Sequence, residues 1–193
     1  MTAMAGAKPN SDVVGAARSD AAVELEALYV GLVRDYHRRI YNYLYRMLGE
    51  TGLAEDIAQE VYLRAYKALP RLPAGANHRA WLFRIATNAA TDEIRRRRRR
   101  PDVLLGLAPT HKAPNPSEDE RLGRVCLDGA LSAIAPHHRA VLMLFEFAGF
   151  SAPEVGEVLG VKPETARKRR QRAREALARE LDGVQLSRSG QQS

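Results

Sequence analysis

Cysteine is almost missing from this 193-residue chain: Cys126 stands alone, which rules out a disulfide framework and a cysteine-built zinc site. Set in an apolar pattern, that thiol is expected in a core. Long apolar runs are missing too. The longest, 140–150, is interrupted by Glu146 and preceded by Arg139, and is well short of the roughly 20 residues a spanning helix needs. The stretch 1–20 is rich in Ala, Gly and Ser and has no hydrophobic centre of the signal-peptide kind. Aromatics make up only 6% of the chain, and no Trp/Phe-rich face accompanies the basic residues, which argues against a membrane surface. The five histidines form no H-E-x-x-H pair or Cys/His cluster, and neither a phosphate-binding G-x-x-x-x-G-K-[ST] loop nor a G-x-S-x-G elbow occurs. The expectation is a cytoplasmic protein without membrane insertion, catalytic residues, metal or cofactor.

What the chain does have is positive charge, +7 net with a pI near 9.8, which suits an acidic partner such as nucleic acid. It also has 45% hydrophobic residues, enough for folded cores. Pro101, Pro109, Pro114 and Pro116, with Gly106, Asn115 and Ser117 among them, stop helices and mark a linker. The expected fold class is all-α: two small helical domains joined by a flexible proline-rich linker. The expected divisions are a disordered segment at 1–21, a first domain at 22–100, a tether at 101–119, a second domain at 120–182 and a disordered tail at 183–193.

Helical spacing supports this. Leu25, Leu28, Tyr29, Leu32, Val33, Tyr36, Ile40, Leu44 and Met47 recur at steps of three and four, one buried stripe on a long helix. Gly49 and Gly52 should break it. A second helix starts near Thr51, with Ile57, Val61, Ala65 and Ala68 inward, and a third near Arg79, with Leu82, Ile85, Ala86 and Ala89 inward. In the second half one helix runs to Ile134, and Pro136, which suits a first helical turn, opens the next, through Phe147. Ser151 and Glu154 make a capping-box pattern for a third. Gly160 stops that helix, and Pro163 starts a fourth.

Those last two helices are the most informative. Between Lys162 and Arg174 stand seven Lys/Arg against one Glu, on the second helix of a helix–turn–helix, the element that enters the DNA major groove. On the second helix of the first domain, Asp56, Glu60, Leu63 and Lys67 share a face opposite the apolar side, with Gln59 beside them. The segment 50–60 holds four acids and no base. Such a face repels DNA and suits a basic protein helix with Leu63 as apolar anchor; an ordinary solvated face gives the same pattern. On the third helix Arg84, Asn88, Thr91, Arg95 and Arg98 line up and run into six consecutive arginines, Arg95 to Arg100, which fits a helix lying along phosphates. Arg79 and Trp81 stand at its start. Trp81 can stack an unpaired base, although a lone Trp in an amphipathic helix more often packs into a core, and packing is the favoured reading.

The segments A-E-D-I-A-Q-E-V-Y-L-R-A-Y-K-A-L (Ala54 to Leu69) and W-L-F-R-I-A-T-N-A-A-T-D-E-I-R-R (Trp81 to Arg96) resemble domain two of bacterial extracytoplasmic-function (ECF) sigma factors. S-A-P-E-V-G-E-V-L-G-V-K-P-E-T-A-R-K-R-R-Q-R-A-R-E-A-L (Ser151 to Leu177) resembles their domain four. The likeness covers about 24–100 and 120–182, in the family's order. It implies a non-enzymatic factor that binds core RNA polymerase and promoter DNA. Asp56, Gln59, Glu60 and Leu63 would meet the β′ clamp helices. Arg79, Trp81, Arg84, Asn88, Thr91 and Arg95 would recognise and open the −10 element around a flipped base. Thr165, Arg167, Lys168, Gln171 and Arg172 would read the −35 element. The β flap and an anti-sigma factor are further partners it implies. Family members carry a β-branched residue at the position of Ala166, an apolar one at that of Arg170, and a bulky residue and an acid at Ala152-Pro153. The first two replacements thin the packing under the recognition helix by about 1–3 kcal/mol, unless Arg170 carries its charge outward along its own stem.

Two other functions compete. A sigma mimic that only sequesters an anti-sigma protein would be expected to lose its DNA-facing basic residues, and here both basic faces are intact. A helix–turn–helix repressor would leave the Asp56 face and the Arg84–Arg95 stripe without a purpose.

Overall fold

Helix boundaries follow local chemistry closely. The computed structural model describes residues 11–99 and 118–189, with side chains described over 22–99 and 126–183. Seven α-helices and no strand occur among them: α1 (Ser11–Leu48), α2 (Thr51–Ala68), α3 (His78–Arg98), α4 (Glu118–Ala133), α5 (Pro136–Leu142), α6 (Ala152–Leu159) and α7 (Pro163–Ser189). A 3₁₀ turn at Leu69–Arg71 follows α2, and a π-helical turn at Met143–Phe147 extends α5.

α1 begins at Ser11, inside the 1–21 stretch, and α7 continues past Gly183 to Ser189. Gly49 closes α1, its N–H bonding to the Tyr45 carbonyl. Gly52 does not break a helix but lies in the first turn of α2, where Glu50 rather than a glycine gap supplies the N-cap. Asn77 caps α3, its side chain accepting from the Ala80 N–H at 3.1 Å. The proline-rich tether at 101–117 lies outside the described residues, and 118–119 already belong to α4.

α1, α2 and α3 pack mutually as one helical group, and α4 to α7 as another. Ile40, Leu44, Met47, Val61, Leu82 and Phe83 fill the first core. Tyr43 is buried among them. Its hydroxyl donates to Thr87 Oγ1 at 2.8 Å, because Thr87 spends its own proton on the Phe83 carbonyl at 2.7 Å, so both buried hydroxyls are satisfied. The N-terminal part of the α1 stripe outruns its partners: Leu28 is 39% exposed. Cys126 is half-buried rather than in the core.

The second group holds a helix–turn–helix. Ser151 and Glu154 form the capping box of α6, with Ser151 N–H to Glu154 Oε2 at 2.8 Å. Gly160 ends it at φ +64°, a left-handed conformation that a side chain would strain. Gly156 lies where a Cβ would stand 2.6 Å from the Val161 carbonyl, so the turn into α7 approaches α6 this closely only because that side chain is missing.

The two groups also touch. α3 packs on α6, and α5 contacts both α1 and α3. The Phe83 ring of α3 meets that of Phe150, just before α6, edge-on at 4.9 Å between centroids. Both rings are buried, so one apolar cluster runs through both groups.

Candidate nucleic-acid interface

Asp56 and Gln59 are exposed on α2, Glu60 is half-buried, and Leu63 is 60% exposed. All four come from the side opposite buried Ile57, Val61 and Ala65. Glu60 pairs with Arg64 one turn on, at 2.5 Å, an exposed contact of little energetic weight. Beside this face an open groove of about 840 Å³ runs between α1 and α2, lined by Tyr29, Val33, His37, Tyr41, Tyr62 and Gln59 among others. Glu50, counted with the acidic cluster in the sequence, belongs elsewhere: its carboxylate holds Arg97 Nη1 of α3 at 2.8 Å.

On α3, Arg84, Asn88 and Arg95 are exposed and Thr91 is half-buried. Trp81 packs against the core and is half-buried, in line with the packing reading. The arginine run is not one uniform surface. Glu93, buried at 6% exposure, accepts from Arg96 Nε at 2.7 Å and from Arg97 Nε at 2.9 Å. The hydrogen bond from Arg96 leads in holding the Glu93 carboxyl below its usual range. Arg97 thus turns into the bundle, bridging Glu93 and Glu50. The signal was present in the spacing, since Arg96 and Arg97 stand three and four residues after Glu93. Arg95 keeps only a loose 3.8 Å contact with Asp92.

Arg79 and Arg84 face the second helical group. Arg79 Nη1 lies 3.4 Å from Glu154 Oε1, its Nη2 donates to the Ala148 carbonyl, and its guanidinium sits 4.0 Å over the Phe150 ring. Arg84 Nε donates to the Glu157 carbonyl at 3.0 Å. Asn77 Nδ2 reaches Glu157 Oε2 at 3.2 Å. The sequence alone offered no sign of these bonds.

On α7, Thr165, Arg167, Lys168, Gln171 and Arg172 are all exposed, while Ala166 and Ala173 are fully buried. Thr165, Lys168 and Arg172 follow one another at helical steps, and Arg167 and Gln171 flank them, so the five share a surface. Gln171 Nε2 donates to Glu175 at 2.9 Å, and Arg167 stands 3.9 Å from Glu164. Arg170 does carry its charge outward: its guanidinium lies 4.7 Å from the Phe145 ring centre and binds Glu146 with Nε at 2.9 Å and Nη2 at 3.2 Å. Arg174 Nη2 binds the same carboxylate at 2.9 Å. These bonds, that from Arg170 foremost, lower the Glu146 carboxyl from its ordinary value. Glu146 was not singled out in the sequence as more than a break in an apolar run.

Both halves of the chain match known proteins. Residues 32–100 match Sigma-70 region 2 and residues 124–177 match Sigma-70 region 4. The chain is 35% identical over 179 residues to the ECF RNA polymerase sigma factor SigE of Mycolicibacterium smegmatis, covering 88% of this chain and 68% of that protein. It is 32% identical over 167 residues to the ECF RNA polymerase sigma factor SigW of Bacillus subtilis, covering 79% and 88%. The fold superimposes on the sigma factor RpoE solved in complex with the anti-sigma factor NepR from Bartonella quintana, with a TM-score of 0.64 at 23% identity over 80% of this chain and 96% of that one. No helix among the described residues is long and apolar enough to cross a membrane. With both sigma-70 regions present in order on an all-helical frame, the chain belongs to the ECF RNA polymerase sigma factors, non-enzymatic proteins that direct transcription initiation by RNA polymerase.

Proposed function

We propose that the chain divides initiation among three faces on three helices. Residues 22–100 engage core polymerase and open the −10 element, residues 120–182 read the −35 element, and 101–119 tether the two, with 1–21 and 183–193 flanking them. On α2, Asp56, Gln59 and Glu60 meet a basic coiled coil, the β′ clamp helices, with exposed Leu63 as the apolar anchor. On α3, Arg79, Arg84 and Arg95 hold the separated strand, and Trp81, Asn88 and Thr91 border the captured base. On α7, Thr165, Arg167, Lys168, Gln171 and Arg172 enter the major groove, while the second group docks on the β flap. An anti-sigma factor is the expected regulator, since a solved sigma factor of this fold carries one, and the cytoplasm is the expected location.

The observation that carries this reading is the segregation of charge. The exposed acids with Leu63 stand on α2, and the exposed basic rows stand on α3 and α7. A factor that touched DNA alone would have no use for an acidic face. Run-off transcription with purified core polymerase on promoter fragments selected from a library tests it. Defined transcripts that depend on this protein are expected; promoter binding without transcription would leave a repressor.

A further inference from the structure

We propose that Glu175 is a positioning residue for base readout: by holding the Gln171 amide in one orientation, it makes the −35 face of α7 select adenine and reject guanine at one base pair. The inference rests on the −35 role of α7 proposed above and deepens it. Gln171 is exposed in the row from Thr165 to Arg172, and Glu175, also exposed, stands one turn further along the same helix. Gln171 Nε2 donates to Glu175 Oε1 at 2.9 Å. That bond fixes which way the amide faces. An ionised carboxylate has no hydrogen to give, so it takes the NH2 end of the amide and never the carbonyl end.

What remains for DNA is Oε1 as an acceptor and the second Nε2 hydrogen as a donor. Adenine offers the complement in the major groove, an N6 donor beside an N7 acceptor. Guanine offers two acceptors, N7 and O6, so the held Oε1 would meet an oxygen with no hydrogen between them. The wrong base is then repelled as well as the right one matched. Without Glu175 the amide can turn over and give both N–H groups to guanine. A bond between residues four apart on a helix is weak in water, but it strengthens once DNA displaces the water around it. The acid near Arg167 has no such consequence. Arg167 stands 3.9 Å from Glu164, and a guanidinium carries donors alone, so no partner can reverse what it presents. Within the row, Gln171 has the one end group with separate donor and acceptor halves, and it is the one tied down by a full hydrogen bond.

The test uses the full chain assembled with purified core polymerase and a promoter selected by run-off transcription, with each −35 base pair replaced in turn by the other three. Competition binding reads the preference at each position. Gln171→Ala locates the base pair: the preference lost there should be for adenine over guanine, by about tenfold. Glu175→Ala should lower that ratio severalfold at the same base pair and leave the other positions unchanged. Glu175→Gln removes the same charge but keeps an oxygen that can accept from Gln171, so it should restore most of the ratio. Both Glu175 variants should raise affinity for scrambled duplex alike, since each removes one negative charge near the phosphates. An unchanged ratio in Glu175→Ala overturns the proposal. Equal loss in the Ala and Gln variants also overturns it, because Glu175 would then act through its charge alone. So does a Gln171-dependent preference for any base other than adenine. If Gln171→Ala changes no position, the place of Gln171 in the −35 row fails, and its positioning by Glu175 with it.

Discussion

Arg170 and Arg174 share the single carboxylate of Glu146, Arg170 through Nε at 2.9 Å and Nη2 at 3.2 Å, Arg174 through Nη2 at 2.9 Å. Glu146 sits in the π-helical turn that extends α5, so the carboxylate ties that turn to the recognition helix. Both guanidinium groups are thereby engaged by one carboxylate beside the row from Thr165 to Arg172 that is proposed to read the −35 element. Glu146→Gln should reduce stability modestly, by about 1 kcal/mol given the exposure of the pair, as read by urea melting. The freed arginines should raise affinity for non-specific duplex and steepen its salt dependence, while discrimination at the −35 element falls. Unchanged discrimination in competition assays would mean that the clamp matters for folding alone.

Stability should fall on acidification, and Glu93 should be a main reason. Its carboxyl lies below its ordinary value, chiefly through the hydrogen bond from Arg96. A depressed folded-state value contributes stability that is fully present above the unfolded carboxyl range, near 4.5, and that is lost as pH falls through the lower folded value. Glu146 and Glu154 shift in the same direction. Thermal melts of Glu93→Gln should therefore lose stability near neutral pH and show a flatter decline below about pH 4.5 than the parent. A parallel decline in the two proteins would remove Glu93 from this account.

Arg97 and Arg95 should part company. Arg97 is held by both Glu50 and Glu93 and is 27% exposed, whereas Arg95 is 62% exposed. Arg97→Ala should lower the melting temperature with little change in the salt slope of DNA binding. Arg95→Ala should do the reverse, reducing that slope by about one phosphate's worth. Asn88→Ala should weaken the −10 strand without a salt effect, as expected of a group that meets a base. Anisotropy across a salt series separates the three.

Core binding should depend on the α2 face. Asp56→Lys with Glu60→Lys is expected to abolish co-purification with core polymerase while the helical circular dichroism stays intact, since disrupting a buried interfacial charge pair costs about 2–5 kcal/mol. Full recovery of the double variant with core enzyme would refute the assignment.

At the −35 element, Arg167→Ala or Arg172→Ala should relax sequence preference at one position by about 1–3 kcal/mol. Uniform weakening across a library of duplexes would instead assign these arginines to phosphates.

What the sequence determined by itself is what local interactions decide. The capping box of Ser151 and Glu154, the left-handed stop at Gly160 and the helix starts at Pro136 and Pro163 all act within a turn or two of chain, and each stands where the pattern expects it. The inward and outward faces of α2 and α7 follow from the 3.6-residue period in the same way. Gly52 misled because a glycine near a boundary reads as a break, while one in the first turn of a helix costs little. Tertiary structure alone decided the rest. Arg97 turned inward because Glu50, 47 residues away, came to lie beside Glu93. Arg139 found the Met47 carbonyl across 92 residues. Arg79 and Arg84 met α6 across more than seventy. No periodicity reports which charged side chain a distant helix will bring within hydrogen-bonding reach, because that depends on how two apolar faces, here those of Phe83 and Phe150, settle against each other.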